Sequence, residues 1–252
     1  MNANATNPEP ALSHVEEPCD SAIGRIENYD WSGIGAQLDE CGRAVLPALL
    51  NRAQCQAIAA GYDEDSRYRS RVVMARHGFG RGEYRYFRYP LPSIVQNLRE
   101  ALYPRFAPIA SRWNRAMGVA VEYPPHLNEF LARCHAAGQT RPTPLLLRYG
   151  EGDYNCLHQD LYGEHVFPLQ VAILLSQPGR ADEGGDFEGG EFVLTEQRPR
   201  MQSRVDVVPL RQGDGVVFAV HQRPMRGVRG HYRVNLRHGS AVCTPVGATP
   251  WA

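Results

Sequence analysis

The spacing of apolar residues changes near Pro142 and divides the chain in two. Upstream, apolar residues recur three and four apart, the period of an amphipathic helix. Ile26–Leu38 reads as a short helix that begins the fold. Leu46–Tyr62 reads as a second, with Asn51 as its cap and Cys55, Ile58, Ala59 and Tyr62 along one face. Leu91-Pro92-Ser93 opens a third, with Ser93 as N-cap and Ile94, Val95, Leu98 and Leu102 on one side, until Pro104 and Pro108 interrupt it. Ile109–Met117 and His126–Ala137 read as two more, divided by Tyr123-Pro124-Pro125. Within this half, two runs rich in Val, Tyr and Phe, Arg67–Ala75 and Glu83–Tyr89, flank HGFGRG. They predict a hairpin, or two strands around a mobile glycine loop.

Downstream the apolar runs are short and punctuated by Gly, Pro and Asp: Leu145–Tyr149, Val166–Leu175, Glu191–Leu194, Val205–Pro209, Val216–Val220 and Tyr232–Leu236. That rhythm belongs to an all-β sandwich or jelly roll. Two long connections, Gly179–Gly190 and Arg223–Gly230, read as surface loops or as the rim of a site. The expected fold class is therefore α+β. A disordered leader over 1–25 precedes an α-rich support with a β insertion over 26–141, then a jelly roll over 142–239 and a tail over 240–252.

Composition narrows the classes. A chain of 252 residues, 43% hydrophobic and 21% charged, has enough apolar surface for a proper core. It holds no run near the roughly 18 apolar residues of a membrane span. The first twenty residues lack the basic and apolar regions of a signal peptide, so a cytoplasmic protein with no membrane partner is expected. Six cysteines without a C-x-x-C pair argue against a zinc or disulfide framework. Cys156, two residues before His158, reads as a half-buried strand residue rather than a ligand.

A net charge of zero argues against a protein that coats nucleic acid indiscriminately. The basic residues, all Arg, are nonetheless clustered. Ser66–Pro90 carries seven Arg against one Glu, and Arg198–Arg237 nine Arg against two Asp.

The candidate chemistry lies in Leu145–Tyr162, LLLRYGEGDYNCLHQDLY, where an apolar run and a Gly/Asp turn lead into His158-Gln159-Asp160. Residues two apart on a strand share a face, so His158 and Asp160 can offer an imidazole and a carboxylate to one metal ion. A third ligand is needed, and His221, His231 and His238 lie downstream. Two His and one carboxylate on one side of an octahedral ion leave the opposite face open for substrate, as in non-haem iron(II) sites. His77, His126, His135 and His165 have no partner at ligand spacing.

RYGEGDYNCLHQD is similar, at matching spacing, to the corresponding segment of AlkB-type iron(II)/2-oxoglutarate dioxygenases. More widely, SRVVMARHGFGRGEYRYFRYPLP, LHQDLYGEHVFPLQ, EGGEFVL and RGHYRVNLRHG resemble a bacterial family of the Oxygenase-NA type, over roughly Ile26 to Gly239. The resemblance implies a double-stranded β-helix, Fe(2+) as metal, and 2-oxoglutarate and O2 as co-substrates. It also implies damaged or methylated nucleic acid as a partner. His158 and Asp160 match its first two metal ligands and His238 its third, with His221 the alternative; Tyr149 matches a tyrosine that bonds 2-oxoglutarate. Leu147 stands where a polar co-substrate contact is found. A prolyl, protein or small-molecule hydroxylase is the alternative within this chemistry. A catalytically degenerate jelly-roll metal-binding module is the alternative outside it.

The family pattern also calls for an Arg on a last strand about nine or ten residues past the distal His, clamping the far carboxylate of 2-oxoglutarate. This chain has no Arg after Arg237 and ends GSAVCTPVGATPWA, with Pro245 and Pro250 opposing a central strand. Read one nucleotide earlier with GC-rich codons, the tail becomes VSRLHSGRRHTLGI, which has the expected form. A single-base deletion near Gly239 is therefore expected to have shifted the frame, and resequencing the locus checks it. A desolvated charge pair of this kind contributes roughly 2–5 kcal/mol, about 30-fold or more in affinity. Purified 1–252 protein is accordingly expected to show little or no turnover, measured as succinate release; strong release would contradict this.

Overall fold

Two antiparallel sheets face each other, and helices cover the outer side of one of them. The computed structural model describes residues 22–244, so most of the expected leader and the tail from Pro245 lie outside the described residues. In chain order come α1 (Ala22–Asn28), α2 (Trp31–Cys41), β1 (Arg43–Leu46), α3 (Arg52–Ala60), β2 (Tyr68–Val73), β3 (Gly80–Arg81) and β4 (Glu83–Phe87). Helices α4 (Ser93–Ala116) and α5 (Leu127–Ala136) follow. The rest is strand: β5 (Leu145–Arg148), β6 (Tyr154–His158), β7 (Leu169–Ile173), β8 (Glu188–Gly189), β9 (Phe192–Gln197) and β10 (Arg204–Val208). It ends with β11 (Gly215–Ala219), β12 (Gln222–Gly227), β13 (Gly230–Ser240) and β14 (Cys243–Thr244).

The expected helix over Ile26–Leu38 is two helices. Asp30 divides them because its side chain accepts the Gly33 N–H at 3.0 Å and so starts a new helix rather than continuing the old one. Asn51 caps α3 as expected, in a reciprocal capping box with Gln54. Leu46, however, ends a strand and is not part of that helix. Nor do Pro104 and Pro108 interrupt anything, since α4 runs through both. They lie four apart on its exposed side, where the carbonyls of Glu100 and Pro104 that lose their N–H partners meet water. The opposite side buries Leu98, Leu102, Phe106, Ile109 and Trp113. At roughly 1.5–3 kcal/mol per large apolar side chain, this burial outweighs the prolines.

The first sheet has the order β1-β11-β7 and the second β10-β9-β13-β6-β3, with β12 pairing the early half of β13. A third sheet, β2-β4-β5, confirms the expected pairing of the two Tyr-rich runs and adds Leu145–Arg148 to it. Together the elements form the α+β jelly roll. Strand β11 is buried along its whole length because both faces are covered. Val217 and Ala219 join the helical core with Ile26, Leu38, Phe106 and Trp113, while Val216 and Phe218 join Leu194 and Val208 of the second sheet. The expected loop over Arg223–Gly230 is mostly strand, since Gln222–Gly227 folds back on Gly230–Asn235 as a hairpin. Among the described residues, no helix is long and apolar enough to cross a membrane.

A buried ion pair ties the hairpin to both the helices and the second sheet. Arg223 has 0% exposure, forms a very short pair with Glu196 of β9, and donates to the Asp39 carbonyl of α2 at 2.8 Å. Gly42 makes this possible. It ends α2 at φ +74°, and a Cβ there would sit 2.9 Å from Arg223 Cδ and 2.6 Å from Leu236 Cδ2. Burial alone would raise the Glu196 pKa, but hydrogen bonds from Arg223 and Arg198 outweigh it and hold the carboxyl below its ordinary range.

Replacing Glu196 with Leu strands the Arg223 charge and should cost about 3–5 kcal/mol in urea denaturation. The double change Glu196→Leu with Arg223→Met should cost markedly less than the sum of the single changes. The depressed carboxyl stabilises the fold above the ordinary carboxylate range, and that contribution fades as pH falls through the folded value. Glu196→Gln should therefore flatten the acid limb of stability against pH.

Candidate metal centre

Strand β6 ends at His158, and β13 runs antiparallel beside it so that His238 lies directly opposite. On the other side of β13, His238 faces Leu194 of β9. Asp160 follows two residues after His158, and the ligating atoms of His158, Asp160 and His238 all lie within 4.8 Å of one another. The two rings are in contact, centroids 4.2 Å apart, and the Asp160 carboxylate reaches both, with Oδ1 3.6 Å from His158 Nε2 and Oδ2 3.3 Å from His238 Nε2. Side-chain exposure falls from 34% at His158 to 22% at Asp160 and 7% at His238, so the cluster opens to solvent on the His158 side.

Several neighbours orient these groups. His158 Nδ1 lies 2.8 Å from the Cys156 carbonyl, which can only accept. Nδ1 is therefore the donor of this bond, and Nε2 is left facing Asp160. Gln170 of β7 bonds Asp160. Gln159, between the two ligand candidates, donates to the Leu236 carbonyl at 2.6 Å and fastens the turn to β13. The Phe218 ring packs 4.6 Å from the His238 ring and walls off the inner side.

Gly239 is required by the pairing. The register shifts between His238 and Ser240, and a Cβ on Gly239 would sit 2.6 Å from the Asn155 carbonyl oxygen.

Burial pushes the His238 pKa down, and the bond to Asp160 only partly offsets this, so the ring is neutral near pH 7. Burial would raise Asp160, but the hydrogen bond from His238 and the two imidazoles outweigh it and keep the carboxyl ionised. A neutral imidazole and an ionised carboxylate are the states a metal needs.

His221 lies outside this group, at the turn between β11 and β12, where its carbonyl accepts the Leu236 N–H at 2.7 Å. His231 lies outside it too, at the far end of the hairpin, opposite Arg226. The Cys156 thiol is exposed rather than half-buried, because this side of β6 has no layer over it. Tyr149 is half-buried, with its hydroxyl bonded to Ser240 and Asn155, the residues paired beside His238 and His158.

Three residues that the sequence reading did not assign to the centre stand around Asp160. The Tyr162 hydroxyl donates to Asp160 Oδ1 at 3.3 Å, and its own pKa is pushed up to about 12 by burial and by that carboxylate. Tyr84 and Tyr86 share one face of β4, and each pKa is raised, chiefly by burial and also by the Asp160 charge.

Two uncharacterized proteins of Mycobacterium tuberculosis, one from strain CDC 1551 / Oshkosh and one from strain ATCC 25618 / H37Rv, are each 51% identical to the chain over 153 residues. That stretch is 61% of this chain, and it spans 64% of each relative's length. Among solved structures, a Pseudomonas putida prolyl-4-hydroxylase aligns at TM-score 0.44 and 10% identity, covering 86% of this chain and all of its own. A Burkholderia pseudomallei oxidoreductase of the 2OG-Fe(II) oxygenase family aligns at TM-score 0.44 and 16% identity, covering 86% and 92%. The family model described as "Oxygenase, catalysing oxidative methylation of damaged DNA" matches residues 82–245, well over half of the chain, and takes in all three clustered residues. The chain belongs to the Oxygenase-NA family.

Proposed function

We propose that His158, Asp160 and His238 hold an iron(II) ion, and that the protein is a 2-oxoglutarate-dependent dioxygenase acting on alkylated nucleic acid. The convergence of two imidazoles and one ionised carboxylate within 4.8 Å carries this reading. The donor set suits ferrous iron, because all three ligands come from one side and leave positions for a bidentate 2-oxo acid and dioxygen. When bound, that metal would supply the activation of dioxygen, with oxidation of a substrate C–H bond coupled to decarboxylation of 2-oxoglutarate. On an N-methyl group the oxidation gives an unstable carbinolamine that releases formaldehyde, so the methyl is removed.

The protein's own contribution is to position groups and exclude water. Gln170 and Tyr162 bond Asp160, and the Cys156 carbonyl sets the His158 tautomer. Phe218 keeps the inner side dry, so substrate approaches from the exposed His158 side, under Tyr84 and Tyr86. Tyr149 stands beside the β6–β13 pairing as the contact for 2-oxoglutarate; freeing its hydroxyl would require it to leave Ser240 or Asn155.

The test is an anaerobic iron(II) titration with and without 2-oxoglutarate, followed by its visible charge-transfer band. His238→Ala should abolish both binding and band. Gln170→Ala should weaken iron binding by about 10–100-fold, as loss of a ligand's supporting hydrogen bond does. His221→Ala should leave it unchanged. Iron binding without the band would instead favour a degenerate metal-binding module. With protein in excess and 2-oxoglutarate saturating, formaldehyde should appear from a methylated oligonucleotide. Hydroxylation of proline peptides alone would reject the nucleic-acid assignment.

A further inference from the structure

Five of the seven arginines of Ser66–Pro90 fall into two sets. Arg67, Arg71 and Arg85 are engaged by Glu64, Glu83 and Asp65, as a structural role requires. Arg88 lies in the other set. With Arg69, Tyr89, Thr140, Arg141 and Pro142 it lines a surface groove of about 420 Å³ that contains no carboxylate. Among the described residues, the side chains of Arg88 and Arg141 form no ion pair or hydrogen bond. The acids nearest Arg69 and Arg88 in the sequence, Glu64, Asp65 and Glu83, are already committed to Arg67, Arg85 and Arg71.

Arg69 is held in place. Its Nε donates to the Pro142 carbonyl at 3.2 Å, and its guanidinium lies 4.2 Å over the Tyr86 ring. Tyr86 leads on to the metal centre. It packs edge-on against Tyr84 at 5.5 Å and bonds Tyr162, whose hydroxyl reaches Asp160. An unbroken series of contacts thus runs from Asp160 through Tyr162 and Tyr86 to Arg69 and the groove.

We propose that this groove binds the phosphodiester backbone of a single nucleic-acid strand beside the nucleotide presented to the metal centre. The proposal rests on the nucleic-acid reading above. Three guanidiniums without counter-charges suit phosphate oxygens. Tyr89, 43% exposed at the groove edge, offers a face on which an unpaired base can stack. The placement also shows how a chain of zero net charge can attract a polyanion locally: three guanidiniums without ion pairs meet in one groove that contains no carboxylate.

The experiment measures binding of the full chain to a labelled single-stranded oligothymidylate by fluorescence anisotropy across a salt series. The groove variant Arg88→Ala with Arg141→Ala should weaken binding and make the slope of log K against log salt shallower by about 1.4, at about 0.7 per lost phosphate contact. A control variant of equal charge, Arg226→Ala with Arg229→Ala on the β12–β13 turn, should leave the slope unchanged. Thermal melting should match wild type in both. Equal loss in both variants would overturn the proposal, as would an unchanged slope in the groove variant. So would displacement of the oligonucleotide by an acidic peptide at equal charge concentration. If the wild-type chain binds no strand at all, the nucleic-acid reading falls with it. If it binds and only the groove variant is silent, that reading stands and the groove does not.

Discussion

The pairing of β13 with β6 is the constraint on which the rest of the site depends. Side chains alternate between the two faces of a strand, so a slip of one residue would turn His238 away from His158 and bring Arg237 or Gly239 to its place. Several contacts prevent that slip. Gln159 holds the Leu236 carbonyl, Ser240 Oγ accepts the Asn155 N–H at 3.0 Å, and β9 pairs the other edge of β13 from Asn235 to Ser240. Gly239 admits the close approach where the register shifts. The buried Arg223–Glu196 pair then anchors the hairpin and β9 to the helical layer, so the metal-centre strands are held from behind.

Burial and charge act in sequence along the structure. Inside, buried ions are paired, Arg223 with Glu196 and Glu83 with Arg71 and Arg148, or held by backbone N–H groups, as Asp214 is by Ala48 and Arg211. At the centre, burial and mutual contact leave one neutral imidazole and one ionised carboxylate, the pair of states that suits a cation. Outside, in the groove beside the Tyr84–Tyr86 face, arginines stand without counter-charges. The same residue type therefore has a structural role in one place and is available to a ligand in another, according to whether a carboxylate has been brought beside it.

Much of the α+β jelly roll could be read from the chain because its signals are local. Short apolar runs such as Val205–Val208 and Val216–Ala219, and the Asn51 cap, depend only on neighbours in sequence. The misjudged elements were those where distant packing overrides local preference. Pro104 and Pro108 fit inside α4 because its other side is buried, and Pro224 sits in a strand because β13 pairs that hairpin. At the centre, His158-Gln159-Asp160 was legible as a two-residue spacing on a strand. Phe218, Gln170 and Tyr162 carry no such local pattern as neighbours of the metal centre.

The sequence by itself determined the strand-and-turn rhythm, the two ligand candidates that lie two residues apart, and the family motif around them. Only the tertiary structure decided which histidine clusters with His158 and Asp160, because His221 and His238 differ in strand register rather than in residue type. It alone also separated the structural arginines from those lining the groove. Apart from the local Arg67–Glu64 pair, those ion pairs take carboxylates from elsewhere in the chain, Glu83 for Arg71 and Asp65 for Arg85, and only folding brings them within reach.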